Sequence, residues 1–169
     1  VDNALIVCAE NTHDLIDGAL RGLGTGTPDA ALFESLLPGL TLGCGAVAVW
    51  LTRDAGAPGA LRVVGAASLA ATSQGRNRLC TAQRGLITTQ SRGLLRHGLA
   101  LAARTLVRLE ATRGIRREQF DLFVCHQVSE THAQGVAKVW GMPFERFHHI
   151  YPTHGNMGPV AVIYCLHEA

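Results

Sequence analysis

One short apolar run constrains this chain more than any other. Phe120-Asp121-Leu122-Phe123-Val124-Cys125 ends on His126. About thirty residues later comes Thr153-His154-Gly155-Asn156-Met157-Gly158-Pro159, between a second strand-like run (Phe147 to Pro152) and a helix-like run (Gly158 to Ala169). Strand-like runs that alternate with helical ones predict an α/β layered sheet with helices on its faces. They also place His126 and Asn156 at two strand ends that can share one pocket. An imidazole and a carboxamide held there can stabilise a developing enolate or alkoxide oxygen. Period-two alternation turns Cys125 to the face opposite His126, so the adjacent pair is not a Cys-His dyad.

The rest of the pattern fits this frame. Ala4 to Ala9 is an apolar run of strand length, and Leu40 to Thr52 reads as a glycine turn feeding a strand. Glu10 to Pro38 reads as irregular, with a short helix from Asp29 or Ala30. Asp54 to Gly59 is a turn cluster that divides residues 1–54 from residues 60–169. Ala60 to Ala70 reads as a strand, and Ala71 to Arg92 as a long polar loop. Leu95, Leu99, Ala102, Leu106 and Leu109 recur at helical spacing from Ser91 onward, with Gly114 as the stop. A second helix runs from Ser129, its cap, to Trp140, and Gly141 closes it. From Ala60 on the order is βαβαβα, which predicts a parallel or mixed sheet.

Composition excludes several functions. With 47% apolar and 17% charged residues, the 169-residue chain can bury a core. A net charge of +2, with no basic run interleaved with aromatics, argues against nucleic acid. No apolar stretch is long enough to span a bilayer. The five cysteines are widely spaced and form no Cys-x-x-Cys pair, which argues against a disulfide framework or a zinc site and for a reducing, cytoplasmic setting. His148 and His149 lack neighbouring carboxylates or cysteines, so no metal site is expected. The chain opens on Val1 with neither Met nor a signal sequence, and is expected to be a fragment or a processed piece.

Three motifs carry a family resemblance. Asp121 to Gln127 resembles the strand-end His-Gln motif of the β-ketoacyl synthase III group, and Gly155-Asn156 resembles its paired Gly-Asn. Leu42-Gly43-Cys44-Gly45-Ala46 resembles its Gly-x-Gly-Ala turn. The finer similarity is to the OleA-type enzymes, which condense two fatty acyl-CoA thioesters head to head. It rests on Leu40 to Gly43, His126 to Ser129, Gly155 to Pro159, and Leu79-Cys80 with Thr89 to Leu94 after it.

The resemblance implies a thiolase-like α-β-α-β-α sandwich, of which this chain is roughly the C-terminal half. Residues 1–54 would close the first half-fold, and residues 60–169 would form the second without its last strands. The acyl-accepting Cys would then lie upstream of the chain or on another polypeptide. By the same resemblance, His126 and Asn156 hold the thioester oxygen, each donor contributing roughly 3–4 kcal/mol to barrier lowering. Cys80, Arg84, His154 and Gly155 are the implied substrate contacts. Arg76, Arg78, Arg84 and Arg92 could meet a coenzyme A phosphate, or simply lie in a solvated loop. Arg113, Arg116 and Arg117 read as a helix-end cluster facing the macrodipole. Synthase III members place an Arg five residues after the His, where carrier protein docks. Thr131 stands there, which favours free coenzyme A esters. No cofactor is implied, since coenzyme A thioesters are the substrates. The implied partners are the missing half and a second copy or related subunit, as a homodimer or heterodimer. Two other readings stay open: a catalytically silent partner subunit or remnant, and an unrelated α/β binding domain in which the His and Asn matches are accidental.

Overall fold

The computed structural model describes residues 2–25, 27, 29–70 and 79–169. Strand β1 (Asn3–Glu10) pairs antiparallel with β2 (Gly45–Thr52), in a register running from Asn3 opposite Thr52 to Glu10 opposite Gly45. Between them lie α1 (His13–Gly24) and α2 (Ala30–Leu40). Asp29 caps α2 by accepting the Leu32 amide at 2.7 Å, which fixes the start anticipated there.

Helix α1 occupies a stretch read as irregular because of its glycines. Gly18 is needed for approach rather than flexibility: a methyl group there would overlap the Gly85 carbonyl oxygen of a neighbouring turn. That turn belongs to a hairpin of β3 (Cys80–Gln83) and β4 (Leu86–Thr89), where a long loop was expected. Its two-residue loop, Arg84-Gly85, has φ of 51° and 75°, the positive pair that matches strand twist in a hairpin. Residues 71–78 of the expected loop lie outside the described part of the chain.

The two long helices form as their periodicity predicts. α3 (Ser91–Arg113) ends on Gly114 at φ 63°. α4 (Glu130–Trp140) starts on Ser129, whose hydroxyl accepts the His132 amide, and ends on Gly141 at φ 65°. Leu99 of α3 packs on Gly135 of α4, and the Trp140 indole donates to the Ala102 carbonyl at 3.1 Å. Two short pieces follow, α5 (Tyr151–His154) and α6 (Val160–Glu168).

Three expected strands do not form. Residues 60–70 form no strand and pair with no other among the described residues, with Leu61 and Val63 each 75% exposed. The runs ending at Cys125 and Pro152 meet at one parallel bridge, Phe123 to Phe147. The Phe123 amide donates to Arg146, and the His148 amide to Phe123. The ladder stops there because the next amides are taken by a side chain. The Gln127 amide oxygen accepts from Ile150 at 2.8 Å and Tyr151 at 3.1 Å, and Pro152 then opens α5. The described pairing is therefore two antiparallel pairs plus isolated parallel bridges, not the parallel sheet read from residue 60 onward.

Two apolar clusters hold the C-terminal part. Phe123, Val136, Ala137 and Phe147 join α4 to the bridged runs, with Phe123 and Phe147 stacked at 5.0 Å. Ile150, Met157, Val160, Ala161 and Cys165 seat α6 against Cys8 and Val47. This second cluster ties the N-terminal strand pair to the C-terminal helix, so residues on both sides of the Asp54–Gly59 turn share one core.

Candidate active site

Gln127 builds the platform. It is fully buried, and every polar atom of its amide has a partner. Its nitrogen donates to the His148 carbonyl at 2.7 Å and to the Cys165 sulfur at 3.1 Å, while its oxygen takes the two amides above. A buried amide is tolerated only on such terms. The result fixes the backbone next to His126 against the segment that leads into Asn156.

Gly158 then joins the two candidates. The His126 Nδ1 lies 3.0 Å from the Gly158 carbonyl oxygen, and the Gly158 amide donates to the Asn156 side-chain oxygen at 3.0 Å. One residue thus orients both side chains. It has φ of 54°, a left-handed conformation that favours glycine, and a Cβ there would also fall 2.7 Å from the Glu10 carboxylate. The Asn156 backbone is held separately. Its amide donates to Thr41 at 2.8 Å, and its carbonyl accepts from Gly43 at 2.9 Å, forming the bridge between Leu42 and Asn156.

These bonds decide which atoms are free. A carbonyl only accepts, so His126 carries its hydrogen on Nδ1. Crowding by protein lowers the His126 pKa, against the opposing bond to Gly158, so the ring is neutral at physiological pH and its Nε2 is a bare acceptor. The Asn156 oxygen is engaged, which leaves its NH2 as the donor. Neither Nε2 of His126 nor the Asn156 nitrogen has a hydrogen-bond partner among the described residues. Cys125 packs into the aromatic cluster, and burial pushes its thiol up to about 11.

The other candidates stand apart. Gly155, at φ 67°, lies against the Thr41 and Leu42 carbonyls. His154 is bracketed by the Thr153 hydroxyl at 2.9 Å and the Tyr164 hydroxyl at 3.2 Å. Both line a cavity of about 510 Å³ between Leu42, Ser129 and Tyr151, next to Asn156 in sequence but without His126 in its wall. Cys80 faces Thr89 across the hairpin, and Arg84 occupies its turn against α1. No described contact links either of them to His126 or Asn156. Arg76 and Arg78 lie outside the described residues. Arg117 meets a helix end as read, but that of α4: it donates to the last carbonyl, Trp140, and pairs with Glu110.

Two residues carry more than their sequence context suggested. His132 sets its ring edgewise against His126 at 6.3 Å. Cys44 is exposed, accepts a hydrogen bond at 3.3 Å from the Thr12 amide and lies 3.3 Å from the Thr12 hydroxyl, contacts that lower its pKa. Neither signal could be read from the sequence, because both partners come from distant segments or adjoining turns.

Residues 110–169 match the 3-oxoacyl-[acyl-carrier-protein] synthase III C-terminal family. The acyl-CoA:acyl-CoA alkyltransferase of Xanthomonas campestris pv. campestris is 33% identical over 96% of this chain and 47% of its own length. The enzyme of the same name from Shewanella oneidensis is 30% identical, over 94% of this chain and 48% of its own. A Cys-to-Ala variant of Xanthomonas OleA superposes with a TM-score of 0.88 at 33% identity, across 99% of this chain and 48% of that one. This chain has the thiolase-like fold of OleA. A Cys-to-Ser OleA solved with bound lauric acid and lauroyl-CoA agrees, with a TM-score of 0.86 at 31% identity over 99% of this chain and 49% of that one. The chain spans about half the length of these relatives. The short strand pairs seen here are thus parts of a thiolase-like sandwich. No helix among the described residues is long and apolar enough to cross a membrane.

Proposed function

We propose that this chain supplies the oxygen-binding and proton-handling half of an acyl-CoA condensing site. The supporting observation is the shared anchorage of His126 and Asn156 on Gly158, which leaves the acceptor of one and the donor of the other free. In this reading, an acyl group is carried as a thioester on a Cys from the portion of the relatives' length that this chain does not span. The second acyl-CoA loses a proton from its α-carbon to Nε2 of His126. Charge moves onto the thioester oxygen, where the Asn156 NH2 donates to it. The imidazolium just formed carries its new proton on Nε2 and becomes the second donor. The α-carbon then attacks the acyl thioester, a C–C bond forms, the C–S bond breaks, and the Cys leaves as thiolate. A fatty acyl-CoA fits as substrate, because the relatives act on acyl-CoA and Thr131 stands where a carrier-protein Arg would be.

The test is turnover of a fatty acyl-CoA by the full protein that carries this chain. Replacing Asn156 by Ala removes one preorganised donor and is expected to lower kcat by about 10²–10³-fold. Replacing His126 by Ala removes acceptor and donor together and is expected to cost at least as much. Full turnover in both variants would favour the alternative, a silent partner subunit that keeps the fold without the chemistry.

A further inference from the structure

A single hydrogen bond at Nδ1 does not fix a ring. About that pivot, the His126 imidazole can still tilt its Nε2 away from a substrate. We propose that His132 is the positioning residue that removes this freedom, its ring walling His126 so that the Gly158 bond and the wall together hold one orientation and one tautomer. This rests on His126 being the proton-handling group described above.

The contact itself is geometric. The rings meet at 6.3 Å between centroids and 71° between planes, within the edge-to-face range for aromatic pairs. The wall is rigid because of where it stands. His132 lies in the first turn of α4, and its amide donates to the Ser129 hydroxyl at 3.3 Å. The next residue, Ala133, is completely buried. Gln127, also completely buried, holds the other side of the His126 backbone. A side chain held by packing and capping is the kind of support that keeps a reacting group within its productive geometry.

The nitrogens of His132 are not what the wall needs. Its Nδ1 is buried without a partner. Burial, and then the charge on His126, disfavour protonating it. It therefore stays neutral beside a protonated His126, and an aromatic hydrocarbon should serve as well.

The experiment uses the full protein with ¹⁵N-labelled histidine, reading the His126 tautomer from its two ring nitrogen shifts, alongside kcat and KM for a fatty acyl-CoA. Wild type is expected to show His126 as a single Nδ1–H species. His132→Phe should keep that tautomer and kcat, with a melting temperature no lower than wild type. His132→Ala should give mixed His126 tautomers and about a tenfold lower kcat at little-changed KM, the cost of a loosened reacting group. A single Nδ1–H species with full kcat in His132→Ala would overturn the proposal, as would mixed tautomers in His132→Phe. If His126→Ala keeps full turnover, the catalytic reading of His126 falls, while the tautomer comparison still decides whether His132 positions it.

Discussion

At the residue scale, Gln127 and the histidines set the terms. Gln127 accepts two backbone amides that have no other acceptor, so Gln127→Leu would strand Ile150 and Tyr151 in a buried setting. The expected loss is about 2–4 kcal/mol, from two unmet donors at roughly 1–3 kcal/mol each less the gain from an apolar side chain, checked by denaturant unfolding of the full protein. Burial also holds His126, His132 and His149 below the ordinary imidazole value of 6.5. A depressed value in the fold means that the unfolded chain binds more protons just below that pH. Stability is therefore full above about pH 6.5 and falls as the pH drops beneath it. Calorimetric melting at a series of pH values should show that decline, and a His132→Phe, His149→Phe double variant should flatten it. The thiols give an ordering as well. Alkylation at neutral pH should reach Cys44, exposed and lowered by Thr12, well before Cys125 and Cys165, which burial raises. Mass mapping after a short iodoacetamide pulse reads that order, and early labelling of Cys165 would contradict it.

At the element scale, local signals worked where one element could satisfy itself. The capping Ser129, the Gly114 and Gly141 stops and the apolar spacing of α3 are intrahelical matters, and those helices form where their sequences say. Strands need a neighbour to supply the other half of each hydrogen bond, so apolar content alone overstated them. Val63 and Val64 have strand character but no strand, while the polar stretch around Thr88 became a hairpin because Arg84-Gly85 turns it. The glycines of α1 misled for a related reason. They mark where the hairpin turn presses on the helix, a contact invisible from spacing. Gly158→Ala tests the hub directly. Its positive φ strains a side chain there, so the variant should lower kcat while α3 and α4 stay folded by circular dichroism.

At the scale of the whole molecule, one face of the strand pair is left uncovered. The register puts Leu5 opposite Trp50 and Val7 opposite Ala48 on one side, with Leu5 at 67%, Val7 at 66% and Trp50 at 66% exposure. Cys8 and Val47, on the other side, meet α6. An apolar face of this kind is an association surface. These 169 residues on their own should bind a hydrophobic dye and associate, measured by light scattering, and both should fall when the rest of the thiolase-like fold is present. A monodisperse monomer that ignores the dye would refute this.

The sequence alone determined the residue types, the two long helices and the order of motifs. These rest on covalent spacing and on helical contacts three and four residues apart, which a linear reading preserves. Only the tertiary structure decided that Gly158 links His126 to Asn156, that His126 carries its proton on Nδ1, and that His132 stands against its ring. Each of these depends on hydrogen bonds or ring contacts that form when the chain folds back on itself. Their directions are set by which backbone groups other partners have already taken.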